Sequence, residues 1–380
     1  MRRNRRGWRA LAVVLAVVLV AAGCGGDDDD SGGSDEQGSA DSGDLTPVKL
    51  QLQWVAQAQF AGYYAALAEG YYEDEGLDVE IVEGGVDIVP QTQLATGAVD
   101  FAIAWVPKAL ASREEGAEIT DIGQVFQRSG TLQVSWADEG IDEPADLEGK
   151  SVGNWGFGNE FELFAGLRQA GLDPQSDVTL VQQQFDMSAL LAREIDAAQA
   201  MTYNEYAQVL ETVNPDTGEL YQPEDLSVID WNEVGTAMLQ DAIWADTGRL
   251  DDDDYRATSV AFLRASMRGW VFCRDNFDEC VDHVLDAGPT LGRSHQAWQL
   301  AEVNKLIWPS PDGIGVMDQA LWDQTVDVAV EEEIISAEPD EDAFTADLAQ
   351  EAVDSLEEDG VDVVGDGYEA PEVQLNEGGA

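Results

Sequence analysis

The chain carries two similar copies of one segment. Lys49–Trp54 and the following Phe60 align with Lys150–Trp155 and the following Phe161 at a constant offset of 101 residues. Further matches keep the same order along the chain: Gly76–Asp78 with Gly171–Asp173, and 94–104 with 190–200. A chain with such a repeat is built from two related structural units, so any fold for it must contain the same arrangement twice.

Each copy reads as strand, loop, helix, glycine, strand, helix and short strand. In the first copy the predicted elements are 48–54, 60–72, 79–82, 90–96 and 101–104. In the second they are 151–154, 160–170, 178–182, 188–193 and 197–201. Alternating strands and helices are typical of a parallel sheet with right-handed crossovers. We therefore predict an α/β fold of two lobes, with the loops after corresponding strands facing one ligand cleft.

The first lobe is expected to be discontinuous along the chain. We predict lobe 1 at 47–134 and 232–356, because the mainly helical region after the second copy completes it, and lobe 2 at 135–231. The last residues, 357–380, are acidic and rich in glycine, without periodicity. We expect a loose tail there.

The N-terminus predicts export. Five arginines precede an apolar run, Ala10–Ala22, that is shorter than the ~20 residues needed to span a bilayer, so residues 1–23 are predicted to be a signal peptide. The small residues before Cys24 resemble the lipobox of bacterial lipoproteins, in which the cysteine is diacylated; the alternative is an incidental cysteine. The polar, acidic residues 24–46 predict a solvated tether. We expect lipid anchoring to the outer face of the bacterial cytoplasmic membrane.

The charge excludes several classes of function. The chain has 19 basic and 76 acidic residues, a formal net charge of -57, which repels nucleic acid. With two histidines and three cysteines, it has little material for zinc chemistry or histidine-dependent catalysis. We therefore expect a binding protein without a metal or cofactor. The acidity itself fits a salty habitat better than it fits a ligand.

Cys273 and Cys280 are the other two cysteines, in an oxidising compartment that favours pairing. Seven residues of unbroken helix rise about 10.5 Å, beyond the roughly 4.4 to 6.8 Å between Cα atoms that a disulfide tolerates. A structural disulfide therefore requires a helix break between the two cysteines, and Asp275-Asn276 is the expected place.

Trp54 and Trp155 are predicted to end the first strand of each copy and thus to face one cleft from opposite lobes. An aromatic side chain from each side would sandwich a flat ring, and each stack adds roughly 0.5 to 1.5 kcal/mol beyond burial. The alternative is that both belong to the core, since the chain has 11 tryptophans. The other aromatic residues of lobe 1 expected at the cleft are Phe60, Tyr63, Tyr64 and Trp105.

Two loops of the second copy are predicted to add polar and aromatic groups. The candidate residues are Phe157, Asn159, Glu160, Tyr203, Asn204 and Glu205. The first loop leads into a helix whose free N–H groups can meet a polar ligand atom. Asn204 can cap the helix that follows it. Glu205 either complements the dipole of that helix or accepts hydrogen bonds from a ligand amine, and both interpretations remain open.

Four motifs carry a family resemblance: Trp54 with Phe60-Ala-Gly-Tyr-Tyr, Gly70–Val79, Asp146–Gly153 and Tyr203-Asn204-Glu205. Over 48–308 the chain resembles the solute-binding proteins of bacterial ABC importers. The subgroup is that for thiamine-pyrimidine precursors, which is related to the sulfonate, taurine and nitrate binders. The resemblance implies a periplasmic-binding-protein-like fold of type II with hinge strands near 132–136 and 228–231. It also implies that the protein binds one small molecule and docks to a permease with cytoplasmic ATPases. We expect a monomer.

The predicted cleft residues restrict the class of ligand that the protein can bind. Sulfonate or nitrate favours arginine or several donors, whereas the cleft loops offer aromatic rings with Glu160 and Glu205. We therefore expect an aminopyrimidine, with sulfonate, taurine, nitrate or another heterocycle such as riboflavin as alternatives. An alternative from another class is a pyrimidine-precursor synthase, which in this family uses a histidine as reactant and a cysteine-rich motif. Here His283 and His295 lie in the late helices, and the matched loops carry no cysteine.

Overall fold

The computed structural model describes residues 45–379. The predicted signal peptide, the lipobox residue Cys24 and the tether up to residue 44 lie outside the described residues. None of the helices within 45–379 combines the length and apolar character required to cross a bilayer.

The elements of both copies lie close to their predicted positions. The strands among the described residues are β1 (Thr46–Gln51), β2 (Leu77–Val82), β3 (Phe101–Trp105), β4 (Ile119–Gln124), β5 (Thr131–Trp136), β6 (Ser151–Asn154), β7 (Thr179–Gln182), β8 (Ala197–Met201), β9 (Leu226–Asp230) and β10 (Asp241–Asp246). The helices are α1 (Ala61–Ala68), α2 (Tyr71–Asp74), α3 (Pro90–Ala95), α4 (Val106–Glu114), α5 (Phe161–Gln169), α6 (Ser188–Leu191), α7 (Glu205–Leu210), α8 (Trp231–Val234), α9 (Asp253–Asp275), α10 (Phe277–Ala287), α11 (Arg293–Ile307), α12 (Gln319–Glu331) and α13 (Asp347–Glu358). The helix predicted at 60–72 is divided, because Gly70 takes a left-handed conformation between α1 and α2.

The strands form two five-stranded sheets of matching order, β2-β1-β3-β10-β4 and β7-β6-β8-β5-β9. Within each sheet the three strands of one sequence copy run parallel, as predicted. Each sheet also contains an antiparallel strand: β10 lies between β3 and β4, and β5 lies between β8 and β9. The sheets are therefore mixed rather than purely parallel, because the chain reaches β5 and β10 from the other sheet and not through a crossover within their own sheet.

The chain passes from the first sheet to the second between Gln124 and Thr131, and it returns between Asp230 and Asp241. We call the unit built on the first sheet lobe 1 and the unit on the second sheet lobe 2. The hinges are expected near 132–136 and 228–231. These segments correspond to β5 and to the end of β9, which pair with each other inside the second sheet, next to the two crossings. The lobe boundaries expected at 134/135 and at 231/232 stay a prediction.

The core of lobe 1 is built around the long helix α9, which packs against α1. The two helices approach closely at Gly62, where an added Cβ atom would lie 2.2 Å from the Trp270 ring. Beneath them, Phe262 of α9 stacks on Phe101 of β3 with 4.4 Å between ring centroids. This packing fixes α1 and β3 relative to each other, and with them the loops at the carboxyl ends of the strands.

A disulfide joins Cys273 and Cys280, whose Cα atoms are 5.0 Å apart. Helix α9 ends at Asp275 and α10 begins at Phe277, so the helix is broken where the sequence predicts the break. Both cysteines are fully buried. The link therefore fastens α10 to the core of lobe 1.

The end of the chain is packed, so the expectation of a loose tail is wrong for these residues. Beyond α13, Val363 is buried in the core of lobe 1. Leu375 packs against the core of lobe 2, and the Gly378 N–H donates to the Glu211 carbonyl oxygen at 3.1 Å. Sequence periodicity cannot reveal such packing, because single apolar residues within an acidic stretch produce no repeating pattern. We call 361–379 the C-terminal strap.

Candidate ligand-binding site

A cleft of about 630 Å³ lies between loops of the two lobes. Most of its lining comes from the loops that follow β1, β2 and β3 in lobe 1 and β6, β7 and β8 in lobe 2. All six loops follow the carboxyl ends of parallel strands, which is where open α/β sheets bind their ligands. The volume falls within the roughly 300 to 1,000 Å³ of small-molecule sites.

Eight of the residues predicted from the sequence lie along this cleft: Trp54, Trp105, Trp155, Phe157, Asn159, Tyr203, Asn204 and Glu205. Trp155 directly follows β6, whereas β1 ends at Gln51 and Trp54 lies in the loop beyond it. The Trp54 carbonyl oxygen accepts a 2.8 Å hydrogen bond from the Gly84 N–H, which fixes this loop against the one after β2. Both indoles therefore belong to one cleft and not to separate interiors.

The ring of Phe185 contacts both of these tryptophans. Its centroid lies 5.0 Å from that of Trp54, with the planes tilted by 48°, and 5.8 Å from that of Trp155, with the planes at 19°. Phe185 follows β7 in lobe 2, so the three rings link the lobes across the cleft. Offset or tilted arrangements of this kind are the favourable ones for aromatic pairs.

Phe60, Tyr63 and Tyr64 do not line the cleft, and their prediction as cleft residues is wrong. They lie at the start of α1, where residues 60–66 are all buried in the core of lobe 1. Phe60 is fully buried, and Tyr63 meets the edge of Trp270 at 5.7 Å. A helix without a polar face belongs inside a core, so these rings fill lobe 1.

The prediction of Glu160 as a cleft residue is also wrong, since Glu160 does not line the cleft. Its carboxylate turns back to its own loop and accepts a 2.9 Å hydrogen bond from the Gly158 N–H. Gly156, Phe157 and Gly158 before it all have positive φ values, between 56° and 85°. Two of these three positions are glycines, which adopt that region without strain, whereas Phe157 pays a cost of about 1 to 3 kcal/mol. The turn leaves the Phe157 ring 80% exposed at the mouth of the cleft.

A buried carboxylate, Asp241, organises the lobe 1 wall. It accepts hydrogen bonds from Gln53 Nε2 at 2.5 Å, from Gln59 Nε2 at 2.9 Å and from Trp105 Nε1 at 2.8 Å. Burial raises the pKa of Asp241 to about 7, against the opposing effect of these donors. Three cleft side chains are thus oriented by one group that the sequence analysis did not single out.

Lys108 of α4 reaches from lobe 1 to lobe 2. Its ammonium donates a 2.7 Å hydrogen bond to Asn159 Oδ1 and lies 4.7 Å from the centroid of the Trp105 ring. Burial lowers the pKa of Lys108 to about 8, while Glu160 and Asp241 oppose this shift. Within residues 45–379, Lys108 is the one basic residue that lines the cleft.

Glu205 is buried in the first turn of α7, and its carboxylate is bonded within lobe 2. Its Oε2 accepts from the Met201 N–H at 3.0 Å, and its Oε1 accepts from Asn204 Nδ2 at 2.8 Å. Burial raises its pKa, although these hydrogen bonds act in the opposite direction. Behind it, His295 Nε2 contacts Asn204 Oδ1 at 2.9 Å and His295 Nδ1 contacts Glu211 Oε2 at 3.0 Å. A histidine of lobe 1 thereby supports the polar corner of lobe 2.

Sequence reasoning missed Lys108, Phe185, Asp241 and the apolar rim of the cleft. The rim is formed by Val86, Ile88 and Val89, which follow β2 and expose 38% to 67% of their surfaces. The rule that ligands lie beyond the carboxyl ends of strands, applied to the loops after β2 and β7, predicts both the rim and Phe185. Asp241 gives no such signal, because its partners lie 136 to 188 residues away in the chain.

The family model described as NMT1/THI5 like matches residues 57–280, which is more than half of the chain. This chain belongs to the NMT1/THI5-like family. Like the predicted repeat, the matched segment includes loops from both walls of the cleft. The resemblance to this group of proteins that the sequence motifs indicated is therefore confirmed.

Two curated relatives of this NMT1/THI5-like chain are named as binding proteins. The formylaminopyrimidine-binding protein of Halalkalibacterium halodurans is 25% identical over 65% of this chain and 72% of its own. The riboflavin-binding protein RibY of Chloroflexus aurantiacus is 26% identical over 79% of this chain and 85% of its own. A shorter match, 27% identical over 38% of this chain and 41% of its own, is the 4-amino-5-hydroxymethyl-2-methylpyrimidine phosphate synthase of Schizosaccharomyces pombe.

Among solved structures, the periplasmic aliphatic sulphonate-binding protein SsuA of Escherichia coli is similar with a TM-score of 0.58. It is 15% identical, and the match covers 81% of this chain and 91% of that one. The NMT1/THI5-like chain thus has the fold of periplasmic binding proteins, as predicted.

Proposed function

We propose that this protein is the extracytoplasmic substrate-binding component of an ABC importer, capturing a small flat nitrogen heterocycle of the thiamine-pyrimidine-precursor type. The observation that carries the proposal is the placement of Trp54 and Trp155 along one cleft, with an aromatic ring in contact with both. A heterocycle placed against these indoles gains stacking on the two lobes at once, which favours their closure.

The polar groups of the cleft favour a ligand that donates hydrogen bonds. Each carboxylate oxygen of Glu205 has one donor from the protein and retains accepting capacity for an exocyclic amine or a ring N–H. No arginine of residues 45–379 lines the cleft, and Lys108 is already bonded to Asn159. A sulfonate favours bidentate or multiple donors, so this cleft suits it less well than an aminopyrimidine.

A larger heterocycle is a second candidate. The cleft of about 630 Å³ exceeds what a single pyrimidine ring fills, and a riboflavin-binding protein matches most of the chain. The apolar rim at Val86, Ile88 and Val89 offers further contact area for a fused ring system. Glu205 and the paired indoles suit both ligand classes, and a formylaminopyrimidine-binding protein also matches 65% of this chain, so we keep riboflavin-like ligands as the second candidate.

We propose binding rather than catalysis. Neither a histidine nor a cysteine of the described residues lines the cleft, and His295 lies behind Asn204. The synthase alternative depends on a histidine reactant within hydrogen-bond reach of the substrate. Among the described residues, no histidine lines the cleft that could be this reactant, so we place the synthase alternative after binding.

Calorimetry tests the ligand assignment. The mature protein is titrated with 4-amino-5-hydroxymethyl-2-methylpyrimidine, riboflavin and an alkanesulfonate. We expect the aminopyrimidine to bind, and we expect Trp155→Ala and Glu205→Gln each to weaken it about tenfold. Trp322→Ala, which removes an indole of lobe 1 that does not line the cleft, is the control and should leave the affinity unchanged. Equal affinity in wild type, Trp155→Ala and Glu205→Gln would refute the site.

Export, lipid attachment at Cys24 and delivery to a permease with its ATPases belong to the same proposal, as does action as a monomer. Labelling of producing cells with a fatty-acid analogue should mark the wild-type protein and not Cys24→Ser. Permease and ATPase genes beside the coding gene would support transport, and thiamine genes beside it would support the ligand class.

A further inference from the structure

The position of Phe185 between the two tryptophans has a specific structural origin. Its loop connects β7 to α6 and is fixed on both sides of the ring. Gln183 exchanges two 2.8 Å hydrogen bonds with Gln199, and Met187 is buried in lobe 2. The Asp186 carboxylate accepts from the Ser188 N–H at 2.9 Å, just before α6. These contacts hold the backbone on both sides of Phe185 and so keep its ring at the cleft.

The ring of Phe185 fills space that a ligand needs. It is the group in contact with both Trp54 and Trp155, so a flat heterocycle cannot stack between these indoles while the ring stays there. Phe185 is nevertheless 39% exposed, which leaves room on its solvent side. Rotation about χ1 to another staggered position moves the ring without refolding the loop.

We propose that Phe185 is an internal competitor for the heterocycle site: its ring occupies the slot between Trp54 and Trp155, and a ligand binds by displacing it. The inference rests on the proposed function and adds a specificity-determining residue to it. A ligand must stack well enough to replace two aromatic contacts, so weakly stacking solutes are rejected. A ring that merely walls the site would make the opposite contribution, because its removal would cost affinity.

Replacing Phe185 distinguishes a competitor from a wall residue, because the affinity for the ligand should rise in the first case and fall in the second. We expect Phe185→Ala to tighten binding of 4-amino-5-hydroxymethyl-2-methylpyrimidine by about tenfold, since each lost contact is one that the ligand no longer has to replace. Phe185→Leu keeps most of the side-chain volume without the ring and should tighten binding in the same direction. Phe344→Ala is the matched control, because it removes a phenylalanine that packs at 4.5 Å on Trp322, which does not line the cleft. Its affinity should equal that of wild type.

A second measurement follows the ring itself. With para-fluorophenylalanine incorporated at position 185, the fluorine resonance should move on saturation with the aminopyrimidine, and the same label at 344 should not. Weaker binding by both Phe185→Ala and Phe185→Leu, or an unmoved resonance at 185 in a saturated wild-type sample, would overturn the competitor role while leaving the proposed function intact. If neither the aminopyrimidine nor riboflavin binds wild type or either Phe185 variant, the proposed function fails and this inference fails with it.

Discussion

Lys108 Nζ and Asn159 Oδ1 lie 2.7 Å apart and join lobe 1 to lobe 2 across the ligand cleft. The two residues are 51 positions apart in the chain, and each follows a strand of a different sheet. The ammonium is buried against the Trp105 ring, and its charge is therefore held at a cost in solvation. This hydrogen bond therefore connects the two lobes and places a positive charge in the cleft. Because the pKa of Lys108 is lowered, that charge depends on pH.

We expect the buried charge of Lys108 to make stability rise with pH in alkaline solution. Burial lowers its pKa to about 8 in the folded protein, whereas an unfolded lysine titrates near 10.4. Between these values the unfolded state binds more protons, so the free energy of unfolding increases with pH by at most about 1.4 kcal/mol per unit. Urea titrations at pH 7.5 and 10 should show this increment in wild type and not in Lys108→Met. The exposed Lys49→Met should behave as wild type.

Buried carboxyl groups should make the free energy of unfolding fall as the pH rises from about 4 to about 8. Burial raises the pKa of Asp121 to about 8 and the pKa values of Glu162 and Asp241 to about 7. Their stabilising contribution is fully present below about pH 4, where unfolded carboxyls are also protonated, and is lost as pH rises through 7 to 8. The protein should therefore be more stable at pH 5 than at pH 8.

The variant Asp121→Asn tests how much of this pH dependence of stability comes from Asp121. Asp121 Oδ1 accepts from the Gly123 N–H at 2.9 Å, which an asparagine oxygen can also do. We expect this variant to exceed wild type in unfolding free energy by more than about 1 kcal/mol at pH 8 and by much less at pH 5. An equal difference at the two pH values, measured by urea unfolding, would show that Asp121 is charged at both.

Replacing Cys273 and Cys280 together by alanine should lower the free energy of unfolding by about 2 to 3 kcal/mol, because the loop that the disulfide closes is short. Neither residue lines the cleft. Affinity for the aminopyrimidine should therefore stay within about twofold of wild type at temperatures where both proteins are folded. A large loss of affinity with little loss of stability would instead assign the disulfide to the site.

The C-terminal strap should restrain the polar corner of lobe 2. Gly378 N–H donates to the Glu211 carbonyl, and Leu375 packs on the lobe 2 core. Removing 370–380 should speed hydrogen exchange of amides in Glu205–Leu210 and lower the unfolding free energy by about 1 kcal/mol. Leu375→Ser retains the full length and should give part of the effect. Unchanged exchange in both variants would mean that the strap contributes nothing to lobe 2.

Much of the fold follows from short-range pattern. The elements of both copies lie close to their predicted bounds because strand alternation, helix periodicity and glycine placement are local properties of the chain. The shared cleft of Trp54 and Trp155 follows from the repeat, since loops after corresponding strands of two related lobes are expected to face the same cleft. The helix break at Asn276 follows from the length limits of a disulfide.

Other features arise only in three dimensions. Tyr63 and Trp54 both looked like cleft aromatics, and only the packing of α1 against α9 separates the buried ring from the one at the cleft.

The sequence by itself determined the two related lobes, the strands that carry the cleft and the pair of indoles along it, because those depend on neighbours within a few residues. Tertiary structure alone decided that β10 and β5 pair in the sheet of the other lobe from that of the preceding strand, that Asp241 orients Gln53, Gln59 and Trp105, and that Phe185 contacts both Trp54 and Trp155. These contacts join residues far apart in the chain, and their free energy comes from burial and hydrogen bonding that no local pattern encodes.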